Sequence, residues 1–397
     1  MAYKSIDQNL ILNCLVLLLL WVSPPVLASS CGEGYKSPNK AAVVDMFNDW
    51  GSILLKPNDK AYREKEYLDL FMQTARPYAH GDSVFSGKYS QAMNKKVNDR
   101  FIKYWNLTVN GLEVKRPYSM HLVEFTLTGT AANNLIFKYV IEGSKSKRAD
   151  KALGLTPENV KLISFEDVFS GNEGPIVGPR VSYIKAPYIN SKTSESYLSV
   201  VERQEGRALE KIKSMIEADP FIKGIVLESI TNGWNGVEYF RPTFLTNLMK
   251  LAKEKKVLII ADEIYTGGGR TGEFWAFQHF EGFRPDYISF GKGLGIAGIA
   301  RLEIGAYPRV IHEALRRPTT ISANPSSLVL SSQILKTIHE RDLVKNSREM
   351  GQYLSKRLGE AYDGVGLHFR YNEERMIPPI SMTKRDVGPW LRSMDKK

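Results

Sequence analysis

Several stretches of the chain are uninterrupted apolar runs that stop abruptly at polar residues. They are VKLISF (160–165), IKGIVLE (222–228), VLIIADE (257–263) and DYISFGKG (286–293). Each has the length of a strand buried on both faces, where apolar positions run on rather than alternate. Between some of them the pattern changes to helical spacing. One such stretch is 195–218. In another, 243–256, the apolar Phe244, Leu245, Leu248, Met249, Leu251 and Ala252 fall on one face. A strand-like run from Leu122 to Leu127 likewise precedes a helical pattern from Ala131 to Val140. This alternation predicts an α/β fold with a mostly parallel sheet. Ligands of such sheets bind beyond the carboxyl ends of the strands. Glu228, Asp262 and Lys292 each lie at or just after a strand end, so they are expected to converge. After about residue 305 the pattern turns helical (327–358) and ends beyond the pair Pro378 and Pro379, as a smaller lobe would. The expected divisions are a leader (1–30), an N-terminal segment of a small domain (31–85), a large domain (86–305) and a C-terminal small domain (306–397).

The leader has its own pattern. Lys4 and Asp7 precede an apolar stretch from Leu10 to Val22, and small residues follow before Cys31. That describes a secretory signal peptide, since a membrane span usually needs about 20 apolar residues. ASSC (28–31) also resembles a bacterial lipoprotein box, with Cys31 acylated. The expectation is therefore an exported or membrane-associated protein that touches membrane only through this segment. A cytoplasmic protein with an uncleaved or mis-assigned start is the alternative. Both cysteines, Cys14 and Cys31, lie here, so the body has no internal disulfide and no thiolate metal site. The remaining composition, 43% apolar and 24% charged, is globular. The net charge of +11 is spread out. Its densest cluster (Lys145, Lys147, Arg148, Lys151) reads as a solvated loop without aromatic interleaving, and no nucleic-acid partner is expected. Asn106-Leu-Thr108 is a glycosylation sequon that matters only in a eukaryotic export route.

GGGRTG (267–272) fits the letters of a dinucleotide fingerprint. No helical pattern opens on it, so it reads as a glycine-rich turn. No G-x-S-x-G or H-E-x-x-H is present, and the six histidines show no metal-ligand spacing. The informative set is TGTAAN (128–133), Phe169, Glu228, ADEIYTGGGRTG (261–272), FGKGLG (290–295) and TTISANP (319–325). Thr128-Gly129-Thr130 places hydroxyls and backbone N–H groups at a helix start, where a phosphate is well received. Asp262 at a strand end suits a protonated ring nitrogen. Lys292, between two glycines, is free to form a Schiff base. A lysine amine with an acidic partner for the ring nitrogen is what pyridoxal phosphate chemistry requires. Each piece alone has a bland reading as cap, turn or solvated loop; their order and shared place at strand ends favour the chemical one.

With these motifs the sequence resembles the class III pyridoxal-phosphate aminotransferases of fold type I, from about Tyr67 to Thr383. ADEIYTGGGRTG followed by PDYISFGKGLG is similar to the family signature. NGVEYFRPTF (235–244) and ERMIPPISMT (374–383) are similar to the lysine 6-aminotransferase and 4-aminobutyrate aminotransferase branch. EYLDLF (66–71) looks like an N-terminal strand of the family. The resemblance implies pyridoxal 5′-phosphate as cofactor and a large domain, 86–305, that binds it. It implies that Lys292 forms the internal aldimine and shuttles a proton, and that Asp262 pairs with the pyridine nitrogen. It further implies Phe169 and Ile264 on the two ring faces, Gly129 and Thr130 on the phosphate, and Glu228 and Tyr265 beside the cofactor. Thr320 would bind the phosphate of a neighbouring subunit's cofactor, which implies a homodimer. Arg375 would grip a substrate carboxylate, a task suited to a bidentate guanidinium.

The implied reaction moves an amino group, a terminal one, from an amino acid or amine to a 2-oxo acid such as 2-oxoglutarate. Four departures stand out: Ala131 for a usual Glu, Ser170 for His, Tyr265 for Gln and Ser229 for Pro. The C-terminal lobe is short as well. They leave open a catalytically impaired binding or structural relative, or another reaction of the cofactor such as aminomutation.

Overall fold

The computed structural model describes residues 54–55, 59–74, 88–111, 118–144, 146–166, 168–189, 197–230, 239–304 and 324–362. The apolar runs are strands. Seven of them, among the described residues, form one sheet: β1 (Tyr118–Thr126), β2 (Lys161–Phe165), β3 (Val181–Ile184), β4 (Ile222–Leu227), β5 (Leu258–Asp262), β6 (Tyr287–Phe290) and β7 (Ala297–Ile304). Their order is β1-β7-β6-β5-β4-β2-β3. The pairs from β6 to β3 are parallel, and β7 runs against both its neighbours. The expected mostly parallel α/β sheet is what the chain forms.

Continuous apolar strands follow from burial on both faces. Ile259 and Ala261 of β5 join one core cluster, whereas Leu258 and Ile260 join the other. Helices supply the outer layers. Helix α3 (Gly129–Glu142) puts Ala132, Ile136, Phe137 and Val140 into the second cluster. Helices α5 (Leu198–Ala218) and α6 (Pro242–Lys255) cover the first, with Ala208, Ile212, Phe244, Leu245 and Leu248. Proline at the start of α6 needs no amide hydrogen bond there, and Lys256 ends the helix in a left-handed conformation at φ 57°. Burial of side chains this large contributes about 1.5–3 kcal/mol each. At the β1–β7 pair the register shifts between Leu122 and Glu124. There a Cβ on Gly298 would lie 2.4 Å from the Glu124 carbonyl oxygen, so only glycine admits the approach.

Four further helices are α1 (Lys65–Thr74), α2 (Lys88–Thr108), α7 (Pro325–Glu340) and α8 (Leu343–Tyr362). Helix α7 is tied to the N-terminal helices by side chains. Arg100 donates to Ser332 Oγ (3.1 Å) and Gln333 Oε1 (2.7 Å), and Thr108 Oγ1 donates to the Leu335 carbonyl (3.0 Å).

Two expectations are corrected. EYLDLF is not a strand but part of α1. Tyr67, Leu70 and Thr74 recur at helical spacing and are buried, and the Thr74 hydroxyl closes the last turn on the Leu70 and Phe71 carbonyls. The basic cluster is not a loop from end to end, because Lys147–Ala152 form a short helix, α4. Asp150 on it is buried and binds Ser144 and Lys223, which anchors the turn. The sequon lies in the last turn of α2. Its Thr108 is buried and bonded, so it offers no accessible loop.

Candidate active site

The parallel strands β4, β5 and β6 are neighbours, and all end on one edge of the sheet. Glu228 follows β4, Asp262 ends β5, and Lys292 lies two residues after β6. Strand β1 ends on the same edge, since Thr126 pairs with Ala297 next to the Phe290–Gly298 pair. The expected convergence is therefore built by topology: β1 delivers Thr128 to Thr130, and the other strands deliver the charged groups.

Asp262 is buried. Its Oδ2 accepts from Asn133 Nδ2 at 2.7 Å, and its Oδ1 accepts from the Ile264 amide at 3.0 Å. Burial pushes its carboxyl up to about 6, against the pull of the Ile264 and Asn133 donors and the Lys292 charge. Asn133 also donates to the Ser170 carbonyl at 2.8 Å. It thus fixes Asp262 and the loop after β2 with one amide group. Asn133 Oδ1 and Ser170 Oγ are buried beside it without hydrogen-bond partners.

The turn after β6 exposes Lys292 through an uncommon backbone. Its φ is 47°, in the left-handed region, where side chains other than glycine cost about 1 kcal/mol. Gly291 and Gly293 flank it, and a Cβ on Gly293 would meet Leu54 at 2.4 Å. Lys292 Nζ lies 5.5 Å from the Tyr265 ring centroid. Burial lowers its proton affinity, and the Arg270 charge lowers it further; Asp262 and Glu228 act in the opposite direction. Lys292 therefore feels both of the predicted carboxylates.

Helix α3 begins under this turn. Thr128 caps it, with Oγ1 accepting from the Ala131 amide at 3.1 Å. The amides of Gly129 and Thr130 are among those that a helix leaves without a partner within itself. Ile264 packs on Gly129 so closely that a Cβ there would lie 2.8 Å from its Cδ1. A Cβ on Gly171 would lie 2.7 Å from Thr130 Cγ2, so the loop carrying Phe169 passes beside Thr130. Phe169 is partly exposed in that loop. Thr320 and Arg375 lie outside the described residues, as do Cys31 and the whole leader.

GGGRTG is a turn, as read. Gly268, Gly269 and Gly272 have φ of 85°, 94° and 87°, and Val344 and Arg348 of α8 pack on the latter two. Two residues of the site escaped sequence reading. Asn133 could have been found as a polar residue in the buried stripe Ala132, Ile136, Phe137, Val140 of α3. Arg270 was hidden inside the turn motif.

A buried carboxylate and a half-buried amine stand at neighbouring strand ends. A glycine-bearing helix start stands beside them, and the amide bonded to the carboxylate keeps its own oxygen, Asn133 Oδ1, unpartnered. This donor set fits a phosphorylated pyridine aldehyde, and with this sheet it defines a fold type I pyridoxal-phosphate enzyme. The aminotransferase class-III family model matches residues 112–365. The acetylornithine aminotransferase of Aquifex aeolicus is 36% identical over 314 residues, covering 76% of each chain. The L-lysine-epsilon aminotransferase of Mycobacterium tuberculosis is 24% identical over 350 residues, covering 80% of this chain and 75% of its own. A solved structure of lysine aminotransferase from M. tuberculosis, in the internal aldimine form, superposes with a TM-score of 0.62 at 25% identity. It covers 82% of this chain and 74% of its own. The chain belongs to the class-III aminotransferases. Its chemistry is pyridoxal-phosphate-dependent transamination.

Proposed function

We propose that the chain transfers the terminal amino group of an amino acid or amine to a 2-oxo acid such as 2-oxoglutarate. The names of its relatives support a terminal donor: lysine-epsilon and 4-aminobutyrate place the amine far from the carboxylate, and acetylornithine has one amine already acylated. The observation that carries the reading is the pairing of buried Asp262 with Lys292 at adjacent strand ends.

Gly129 and Thr130 would hold the cofactor phosphate at the start of α3. Asp262 would hold the proton of the ring nitrogen, and Asn133 keeps that carboxylate aimed. Phe169 and Ile264 would enclose the ring, with Glu228 and Tyr265 at its margin. When bound, pyridoxal phosphate supplies an aldehyde that condenses with amines and a ring that withdraws electrons from the substrate carbon. Lys292 Nζ is the amine placed to engage that aldehyde as nucleophile, and the same nitrogen would carry a proton to and from the substrate carbon. Its reduced proton affinity suits both tasks. At neutral pH Asp262, with its carboxyl near 6, is mostly ionised and able to accept a ring N–H.

By the same resemblance Thr320 completes a neighbouring subunit's phosphate site in a homodimer, and Arg375 takes the substrate carboxylate. The leader directs the chain to export or to a membrane surface, with Cys31 as the acylation point. The full chain with added pyridoxal phosphate is tested by visible absorbance, then by a donor panel of lysine, N-acetylornithine, 4-aminobutyrate and 2-amino acids with 2-oxoglutarate. A visible band that bleaches with a terminal amine donor is expected. Bleaching by 2-amino acids alone overturns the donor class, and no band overturns the reading.

A further inference from the structure

The Tyr265 ring has two cations over it. Arg270 Cζ lies 5.1 Å from its centroid and Lys292 Nζ lies 5.5 Å away. Both are inside the roughly 6 Å reach of a cation–π contact. Arg270 is fixed in this place from two sides. Its Nε donates to the Tyr265 carbonyl at 2.9 Å, and its own carbonyl accepts from Ser347 Oγ of α8 at 3.3 Å. Its guanidinium is mostly withdrawn from water, where salt screens a charge weakly.

We propose that Arg270, seated on the Tyr265 ring beside Lys292 Nζ, is a positioning residue of the transamination that acts on Lys292 through its fixed charge. Burial and three charged groups act on the hold of Lys292 Nζ on its proton. Asp262 and Glu228 strengthen it; burial and Arg270 weaken it, burial being the larger. A lysine set between two carboxylates alone would keep its proton and be a poor nucleophile. Arg270 offsets their charge, and Tyr265 is the platform against which both cations lie. This inference rests on the reading of Lys292 as the amine that engages the cofactor.

The test uses the full chain loaded with pyridoxal phosphate and follows its visible band against pH, since the linking nitrogen is Lys292 Nζ. Arg270→Gln and Arg270→Met are expected to raise the apparent pKa of the band by about one unit, as loss of a neighbouring like charge does. Arg270→Lys, which keeps the charge, is expected to leave it in place. A band that titrates identically in wild type and Arg270→Gln overturns the inference, as does an equal shift in Arg270→Lys. If both neutral variants fail to fold, Tyr265→Leu, which removes the ring between the two cations, takes their place: a shifted band supports the inference and a band that titrates as in wild type overturns it. A wild type with no visible band defeats the proposed function itself, an outcome distinct from an unshifted band.

Discussion

Asp262 and Glu263 are neighbours in sequence and both are buried, yet their surroundings differ in kind. Glu263 is saturated. Its Oε1 accepts from the Phe277 amide (2.9 Å), and its Oε2 accepts from the Ala276 amide (2.9 Å) and the Thr266 hydroxyl (2.5 Å). It ties the start of the turn after β5 to the short helix at Ala276–His279. Asp262 has an amide on each oxygen, and the Asn133 amide bonded to it keeps its own oxygen unpartnered. One carboxylate is spent on the fold and the other is held ready for a ligand. The difference teaches that burial alone does not mark a catalytic acid; burial with remaining bonding capacity does.

The sharpest way to break this division is at the amine on the ligand side. Lys292→Ala is expected to reduce turnover by roughly ten-thousand-fold, as loss of both nucleophile and proton carrier would. It should leave the thermal midpoint of the cofactor-free chain unchanged within about 2 °C, a ΔΔG well under 1 kcal/mol. Single-turnover bleaching and a melting curve measure the two. Next comes Asp262→Asn, which keeps shape and removes charge. It is expected to lower kcat by about a hundred- to a thousand-fold, the size seen when a preorganised electrostatic partner is lost. Folding stability should drop by no more than about 1–2 kcal/mol, because a buried charge disappears while one of its two N–H donors loses its acceptor. A large stability loss with kcat retained would place Asp262 on the structural side.

The strands and the order of the charged residues were legible from the sequence because continuous apolar runs can satisfy only a sheet covered on both faces. Lys292 and Asp262 stood out because each interrupts such a pattern at its end. What could not be read arises from contacts distant in sequence. Nothing near Glu263 announces that its partners are the Ala276 and Phe277 amides, thirteen and fourteen residues on. The seat of Arg270 depends on Ser347, 77 residues away. EYLDLF was misread because its strand reading rests on resemblance to a family segment and not on its own spacing; Tyr67 and Leu70, with Thr74 beyond the motif, reveal the helical repeat. Asn133 was visible but unassigned, since a polar residue on an apolar helix face gains meaning only when Asp262 is placed opposite it.

On the structural side, Glu263→Ala is expected to lower folding stability by about 3 kcal/mol. It leaves two buried amides and a hydroxyl without their acceptor. The activity of the molecules that remain folded should fall less than tenfold, a ceiling of about 1.4 kcal/mol. Denaturant midpoints and active-site titration separate the two effects. A collapse of kcat at unchanged stability would erase the distinction between the neighbouring carboxylates.

The smallest expected effect concerns protons. Burial pushes the Glu263 carboxyl up to about 7 in the folded chain; its three donors pull the other way, and the Asp262 charge adds to the rise. A raised acid pKa means that the folded chain binds more protons than the unfolded one between about pH 4.5 and 7. Stability therefore falls as pH rises through that window, by at most about 1.4 kcal/mol per pH unit from this group. Glu263→Gln removes the titration while Asp262 keeps its own. The advantage of wild type over Glu263→Gln in chemical denaturation should thus be largest near pH 5 and shrink toward pH 7. Curves that run parallel, or a gap that widens with pH, would mean that the three hydrogen bonds outweigh burial. Glu263 would then be a fully compensated carboxylate, and its contrast with Asp262 would be greater still.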